Sequence, residues 1–421
     1  MRSIADLHTH SRFARAVSKE IDIPALEAWG AKKGIELIGT GDFTHPSWFA
    51  ELKKELEEDG KGLLVRRGST SPIRFVFSAE IACIFSRSGA VRRIHVLVVL
   101  PTFTAVETIN ARLGWIGNLR ADGRPMLGLD IKELVKIAKD ASPDALIIPA
   151  HVWTPWFGMY GSKSGFDSFS DCFEETADLV PAVETGLSSD PQMNWRMEEL
   201  DTKSIVSFSD AHSLHNLGRE ATVFNLEAPT FNNVTAALAV PFPTKQDGNR
   251  ITMTIEFFPE EGIYHWDGHR ACNIRWSPEE TKKAGGICPV CKKKVTVGVM
   301  NRVEELADRA ADFQDKRRPL FRRLVQLDKI IADALGVGRL TKTVEKEYNS
   351  LVAQAGTEIK ALLDLAPDEL LGMTTPKIAD GIQRVREGRL RIVPGYDGVY
   401  GTINVFSKDE QAKPVGQGSL F

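Results

Sequence analysis

Asp6-Leu7-His8-Thr9-His10 closes the first ten residues of the 421-residue chain. Side chains alternate along an extended strand, so this spacing predicts Asp6, His8 and His10 on one face. Histidine and carboxylate are ordinary ligands of zinc, manganese and iron, and two imidazoles one residue apart at a strand end can share one ion or serve two neighbours. The stretch therefore reads as the first edge of a metal grip, and its partners are to be sought at other strand ends.

The chain supplies them in order. Pro24 to Lys33 reads as a helix with proline in its first turn and Gly34 as its stop. The apolar run Ile35 to Gly41 then ends in Asp42, followed by Phe43-Thr44-His45. Helical composition returns over Ser47 to Glu58. Arg74 to Phe85 resembles a strand pair or hairpin carrying Glu80, and Arg92 to Leu100 is a buried strand with His95 inside it. Two helical stretches, Thr104 to Ile116 and Asp130 to Asp140, precede the apolar run Ala145 to Ala150, which delivers His151. Pro181 to Thr185 and Ser204 to Ser209 read as further strands, the second leading into Asp210-Ala211-His212. Strands alternating with helices imply a parallel α/β sheet, and polar residues gathered at strand C-terminal ends are what a barrel-type active site produces.

Of nine histidines in the chain, seven (His8, His10, His45, His95, His151, His212 and His215) fall within the first 215 residues. All of these but His215, together with Asp42, Glu80 and Asp210, form a ligand set large enough for two or three divalent ions (Zn, Mn, Mg or Fe), with Glu80 suited to bridge. Such a site polarises a phosphoryl oxygen and generates hydroxide near neutral pH, which points to phosphoester hydrolysis. Composition is that of an ordinary soluble protein: 43% hydrophobic, 26% charged, with a formal net charge of -3 that excludes an overall basic signature but not local basic faces. No signal-like N-terminus and no apolar run near the roughly 20 residues of a membrane span is evident, so a cytoplasmic location without membrane contact is expected.

Residues 1 to about 225 resemble the polymerase and histidinol phosphatase (PHP) superfamily through D-L-H-T-H, G-D-x-x-H, a mid-domain Glu and His, a later His and a final S-D-A-H. The resemblance implies a distorted (βα)7 barrel whose trinuclear site uses His8, His10, Asp42, His45, Glu80, His95, His151, Asp210 and His212. Asp210, His8, His10 and Glu80 are the catalytic candidates. Asp6 is expected to orient an imidazole from behind, and His215 to lie in outer support or at the surface. Many superfamily members place the Asp and His of the second motif side by side, whereas Phe43 and Thr44 separate them here. Between His151 and Ser170 lies an aromatic, glycine-rich loop in which Trp153, Trp156 and Phe157 suit base stacking and Lys163 suits a phosphate.

A second organisation begins near Thr252. His269-x2-Cys272, a gap of fifteen residues and Cys288-x2-Cys291 have the paired spacing of a structural Cys3His zinc site, with His265 as a competitor for His269. Lys282, Lys283, Lys292, Lys293 and Lys294 surround it. Beyond Arg302 the chain is helix-rich, with basic runs at Lys316-Arg317-Arg318 and Arg384 to Arg391; Arg317 and Arg318 are candidate DNA contacts. Pro394 to Gly401 is turn-rich and should fold back on the body.

Taken together, the barrel motifs, the zinc spacing, the helical part and P-G-Y-D-G-V-Y-G resemble endonuclease Q over nearly the full length. That resemblance implies damaged DNA as partner and incision 5′ to deaminated bases (uracil, hypoxanthine, xanthine) or abasic sites, leaving 3′-hydroxyl and 5′-phosphate ends. The expected organisation is a PHP α/β barrel over 1–245, a zinc module over 246–299, a helical DNA-binding region over 300–412 and a tail over 413–421. In that tail Gln417, Leu420 and Phe421 resemble a bacterial sliding-clamp motif. Two other readings stay open: a small-molecule phosphoesterase of the histidinol phosphatase type, and a non-catalytic clamp-tethered DNA-binding adaptor.

Overall fold

The computed structural model describes residues 1–411, so Gln417, Leu420 and Phe421 of the clamp-like motif lie outside the described residues. The sequence sets up strands by short β-branched runs. β1 (Arg2–Asp6) pairs in parallel with β2 (Leu37–Gly39), and β2 in parallel with β3 (Arg74–Arg87). β3 turns directly into β4 (Ala90–Leu100), its antiparallel partner, and β4 pairs antiparallel with β5 (Leu146–Pro149). The sheet is thus mixed, not parallel as the strand and helix alternation suggests. The reason is local: only Ser88 and Gly89, both at positive φ, separate β3 from β4, and a hairpin so short forces antiparallel pairing.

Beyond β5, Val152 N–H donates to the Glu184 carbonyl at the end of β6 (Ala182–Glu184), and β6 pairs in parallel with β7 (Ser204–Val206). The chain after β7 returns to the first strand through a bridge between Thr9 and Ala211, with His10 N–H donating to the Ala211 carbonyl and Ala211 N–H to that of His8. The hydrogen-bonded order therefore ends where it began. Its interior is filled by Leu7, Leu37, Val76, Leu97, Val99, Leu146, Ile148, Ala182 and Val206, all buried in one apolar cluster. Helices α1 (Ile23–Lys33), α2 (Pro46–Glu55), α3 (Phe103–Ile116) and α4 (Ile131–Ala141) cover the outside, and their buried apolar side chains belong to a second cluster. The start and stop of α1 follow the expected chemistry: the Asp22 side chain accepts from Ala25 N–H, and Gly34 ends the helix in the left-handed region.

The sheet continues outward. β8 (Ala221–Asn225) pairs antiparallel with β1, β9 (Arg250–Glu256) antiparallel with β8, and β10 (Leu320–Arg323) in parallel with β9. Residues 250–256 and 320–323 are thereby part of the main sheet, on either side of the Cys/His segment. The helical part consists of α5 (Leu327–Leu335), α6 (Lys342–Ala355), α7 (Pro367–Met373) and α8 (Pro376–Glu387). It is joined to α1 by a buried ion pair, Lys33 to Glu358 at 2.7 Å, and Tyr348 donates to the same carboxylate at 2.6 Å. No helix among the described residues is long and apolar enough to cross a membrane.

β9 ends in Glu256, wholly buried, accepting from the Thr185 and Ser207 hydroxyls at 3.1 and 3.0 Å. Burial, joined by the charge of Asp190, pushes this carboxyl up from 4.5 to about 8. A folded-state value above the unfolded one gives stability that is full below pH about 4.5 and is lost as pH rises through about 8. Glu256→Gln, which removes the titration and keeps the shape, should raise the melting temperature at pH 8 by roughly 2–4 °C while leaving it unchanged at pH 4.5. A thermal-melt series across that range checks it.

Candidate metal centre

The mouth of the strand ring carries two overlapping sets of ligand atoms. His8, His10, Glu80 and Asp210 bring one ligand atom each to within 4.8 Å of one another, and Glu80, His95 and His151 do the same. Period-two geometry explains how the strands aim them. On β3, Val76 fills the interior and Glu80 lies on the same face, farther toward the strand end; on β6, Ala182 and Glu184 are related in the same way. β4 runs the opposite way, so the residue that reaches the same mouth, His95, comes before Leu97 and Val99 in sequence, not after them.

Glu80 is the shared vertex. Its Oε1 lies 2.6 Å from His95 Nδ1, 2.8 Å from His151 Nε2 and 3.8 Å from His8 Nε2, while its Oε2 is 3.5 Å from His10 Nε2. Asp210 Oδ1 accepts from His10 Nε2 at 2.9 Å and stands 3.7 Å from His8 Nε2. The outer nitrogens of the rings are held from behind. His8 Nδ1 meets both oxygens of Glu184, at 2.9 and 3.1 Å; His10 Nδ1 meets Asp42 Oδ1 at 3.0 Å; His151 Nδ1 meets the Thr154 hydroxyl at 2.9 Å. Gly186, just past Glu184, is in the left-handed region and packs so closely that a Cβ would sit 2.3 Å from the His151 Cβ. Asp42, His151 and Asp210 also have positive φ, a conformation that costs a non-glycine residue of order 1–3 kcal/mol and recurs at functional sites.

Electrostatics follow from this crowding. Burial would raise Glu80, but His95, His151 and His8 hold it well below the usual carboxylate range. Burial also opposes charge on His10, yet Asp42 and Asp210 lift it to about 10. For His95 burial wins, and the ring is pushed down to about 4 despite Glu80. The residues fit divalent ions on an observation independent of charge: His8 Nε2 is buried, faces the cluster and has no hydrogen-bond partner. With Nδ1 committed to Glu184, that nitrogen is left facing Glu80 and Asp210, where an ion would take its lone pair.

Three expected ligands stand apart from these sets. Asp42 uses Oδ1 on His10 and Oδ2 on the N–H and hydroxyl of Ser11, at 2.6 and 2.7 Å, so it orients an imidazole. His45 stacks on Phe13 at 4.6 Å, with its Nδ1 unpartnered. His212 packs edge-on to His10 at 4.7 Å, its Nδ1 2.9 Å from the Asp210 carbonyl. Asp6 does not orient an imidazole: β1 ends at Asp6, and its carboxylate accepts from Ser209 and Gly218 N–H at 3.0 and 2.8 Å. Because the strand stops there, alternation no longer ties Asp6 to His8 and His10. His215 stacks on Trp29 at the surface.

The expected DNA contacts divide by burial. Trp153 is 1% exposed and donates to Asn194, and the Arg318 guanidinium is buried on the Leu200 and Lys203 carbonyls, so both are structural. Trp156 is half exposed, Phe157 lies half-buried with its ring 4.3 Å from that of His95, Lys163 is exposed, and Arg317 is exposed but paired with Asp315 at 2.8 Å. Sequence reasoning missed Glu184, although it shares with Asp42 the signal of a carboxylate at a strand end. It also missed Arg124, whose Nη1 donates to Glu80 Oε2 at 3.0 Å and which no pattern marks.

The second cluster is self-contained. His269, Cys272, Cys288 and Cys291 bring their ligand atoms within 4.8 Å of one another. His269 ends the strand Asp267–His269, Cys272 follows in the turn to its antiparallel partner Ile274–Trp276, and Cys288 N–H bonds to the Lys293 carbonyl in the opposing knuckle. Burial would raise the Cys288 thiol, but the backbone N–H groups of Cys291 and Val290 bring it down to about 6, in favour of thiolate. His265 is buried outside the group, its Nδ1 unpartnered. The five lysines around the knuckle are all exposed, and Tyr396 folds back as expected, donating to Asn273 at 3.0 Å.

A family model described as the MJ0043 C-terminal domain matches residues 326–389. The chain is 33% identical to MJ0043 of Methanocaldococcus jannaschii over 259 residues, spanning 60% of this chain and only about a third (31%) of that protein. It is 29% identical to YqxK of Bacillus subtilis over 419 residues, 95% of this chain and 98% of that one. Its structure is similar to the crystal structure of the lesion-specific endonuclease PfuEndoQ from Pyrococcus furiosus, with TM-score 0.84 and 30% identity over 99% of this chain and 98% of that one. It is also similar, with TM-score 0.83 and 30% identity over 99% of each chain, to endonuclease Q in complex with a 27-mer duplex substrate with an abasic lesion at its active site.

The position of His265 outside the Cys/His group generates a direct test. If the group holds one metal ion, metal analysis of His269→Ala should show loss of about one equivalent and a lower melting temperature, whereas His265→Ala should keep the wild-type metal content.

Proposed function

The chain belongs to the endonuclease Q family, and from that premise we propose that it is a metal-dependent DNA repair endonuclease acting at the mouth of the strand ring. The observation that carries the reading is Glu80, one buried carboxylate common to two ligand sets, with the unpartnered His8 Nε2 beside it. The two sets fit two divalent ions, and their imidazole-rich donors suit zinc, manganese or iron better than magnesium. Ions so held polarise a phosphoryl oxygen and lower the pKa of bound water.

The chain's own residues do the positioning. Glu184 and Asp42 fix the ring orientations of His8 and His10, and Asp210 closes the first set from the segment after β7. The closed strand order supports the reading of a distorted PHP-type barrel, with β3 and β4 as its antiparallel departure. In this reading water adds to the phosphorus 5′ to a deaminated or abasic nucleotide, and the upstream O3′ departs with a proton, leaving 3′-hydroxyl and 5′-phosphate ends. Exposed Trp156 and half-buried Phe157, beside His95, offer stacking surface to an extrahelical base, and the exposed lysines of the zinc module suit the duplex backbone.

Duplexes carrying uracil, hypoxanthine or an abasic site should be nicked in Mn²⁺ and left intact in chelator, and undamaged duplex should be spared. No nicking of any lesion under any divalent metal would refute the reading. Asp210→Asn and His8→Ala should each lower nicking at least about a hundredfold with circular dichroism unchanged, and Glu184→Gln should weaken metal affinity about 10–100-fold by releasing the His8 ring.

A further inference from the structure

Among the described residues, Arg124 is the single arginine or lysine whose side chain is ion-paired with any of the six residues of the two ligand sets. Its Nη1 donates to Glu80 Oε2 at 3.0 Å, while about a quarter of its side chain (26%) stays open to solvent over a carboxylate that has no exposure. The neighbouring Arg219, by contrast, is turned to the Ser209 and Asp210 carbonyls and supports the backbone there. The guanidinium of Arg124 thus stands at the boundary between cluster and solvent, where a substrate phosphate has to arrive.

Its placement is built. Asp122 Oδ1 accepts from Arg124 N–H at 3.0 Å and from Arg15 N–H at 3.3 Å. Gly123 N–H donates to the Phe13 carbonyl at 3.1 Å, and the Thr44 hydroxyl donates to the Gly123 carbonyl at 3.2 Å. A Cβ on Gly123 would lie 2.4 Å from Asp42 Oδ2, so no other residue lets the turn come this close. The turn 122–124 is therefore fastened to both loops that carry His10 and Asp42, and it points an arginine at Glu80 from outside. Among the described residues that guanidinium donates only to Glu80, which leaves its Nε and second amino group for another acceptor.

A cation in this position is at odds with a purely structural role. Were Glu80 to serve two ions, its oxygens would be drawn away from Arg124, and the guanidinium would keep only the more distant charges of Asp210 and Asp122 against those of the ions. An anion held between the cluster and Arg124 removes that conflict. The planar fork matches a phosphate with two parallel N–H donors, a geometry that lysine lacks. We infer that Arg124 is a substrate-binding residue that grips a non-bridging oxygen of the scissile phosphate, exchanging its bond to Glu80 for one to the phosphate. The inference rests on the reading of the cluster as a phosphodiesterase centre and adds the residue that holds the reacting group.

The test uses the full-length, Mn²⁺-loaded protein and inorganic phosphate as probe, followed by calorimetry. Arg124→Ala should weaken phosphate binding about tenfold or more, Arg124→Lys should recover part of it, and both should keep the wild-type metal content. For duplex DNA in chelator, the salt dependence of affinity should fall by about one phosphate contact in Arg124→Ala. Unchanged phosphate affinity in Arg124→Ala would overturn the inference, and so would loss of metal in that variant, which would make Arg124 a support for Glu80. Absence of lesion nicking by the wild-type protein would refute the endonuclease reading, while the phosphate titration would still decide the role of Arg124.

Discussion

The arrangement depends on one buried carboxylate. Glu80 has no solvent exposure and is surrounded by His8, His10, His95, His151 and Arg124; His95, His151 and His8 hold it well below the usual carboxylate range where burial alone would raise it. Removing an ion from water costs roughly several kcal/mol even after relaxation. Concentrating carboxylates and imidazoles on one spot is therefore poor economy for stability, and its rationale is chemical. The strand ring beneath supplies the compensation: a dry layer of Leu7, Leu37, Val76, Leu97, Ile148 and Val206 fixes the strand ends so that polar residues one step beyond cannot spread apart.

From Glu80 the consequences run outward in shells. The imidazoles that meet it are themselves aimed by Glu184, Asp42 and Thr154, and these are fixed by backbone: Glu184 accepts from His151 N–H at 2.8 Å, and Asp42 from Ser11 N–H at 2.6 Å. Each supporting carboxylate thus couples one strand end to a second. Distortion of any one loop would be felt at two ligand positions, which is how a site on several short strands can hold a geometry that none of them fixes alone.

The Cys/His module and the helical part are tied into the same body. β9 and β10 flank the Cys/His segment and both lie in the main sheet, so the module is an excursion between two strands of the core. Lys33 and Glu358, paired at 2.7 Å with Tyr348 on the same carboxylate, join α1 to the helices that match the MJ0043 C-terminal domain. The exposed lysines and Trp156 are thereby carried on the scaffold that also carries the candidate metal centre.

The α/β class, the main helices and the six residues of the two ligand sets were all legible in the sequence. Strand ends announce themselves by a β-branched run meeting a histidine or carboxylate, and the Cys/His spacing is that of four ligands able to meet at one point. Which chemical groups are available, and roughly where the chain turns, can thus be read from residue order alone. Their roles come from how the chain packs. Packing turned β4 against its neighbours and so brought His95 to the mouth from mid-strand. It made Asp42 a support for His10, left His45 and His212 outside the two sets, buried Trp153 and Arg318, and recruited Glu184 and Arg124. The physical reason is that side-chain identity is local, whereas burial and hydrogen-bond partnership join segments from 32 residues apart (His10 with Asp42) to 200 (His10 with Asp210), and no spacing rule reaches that far.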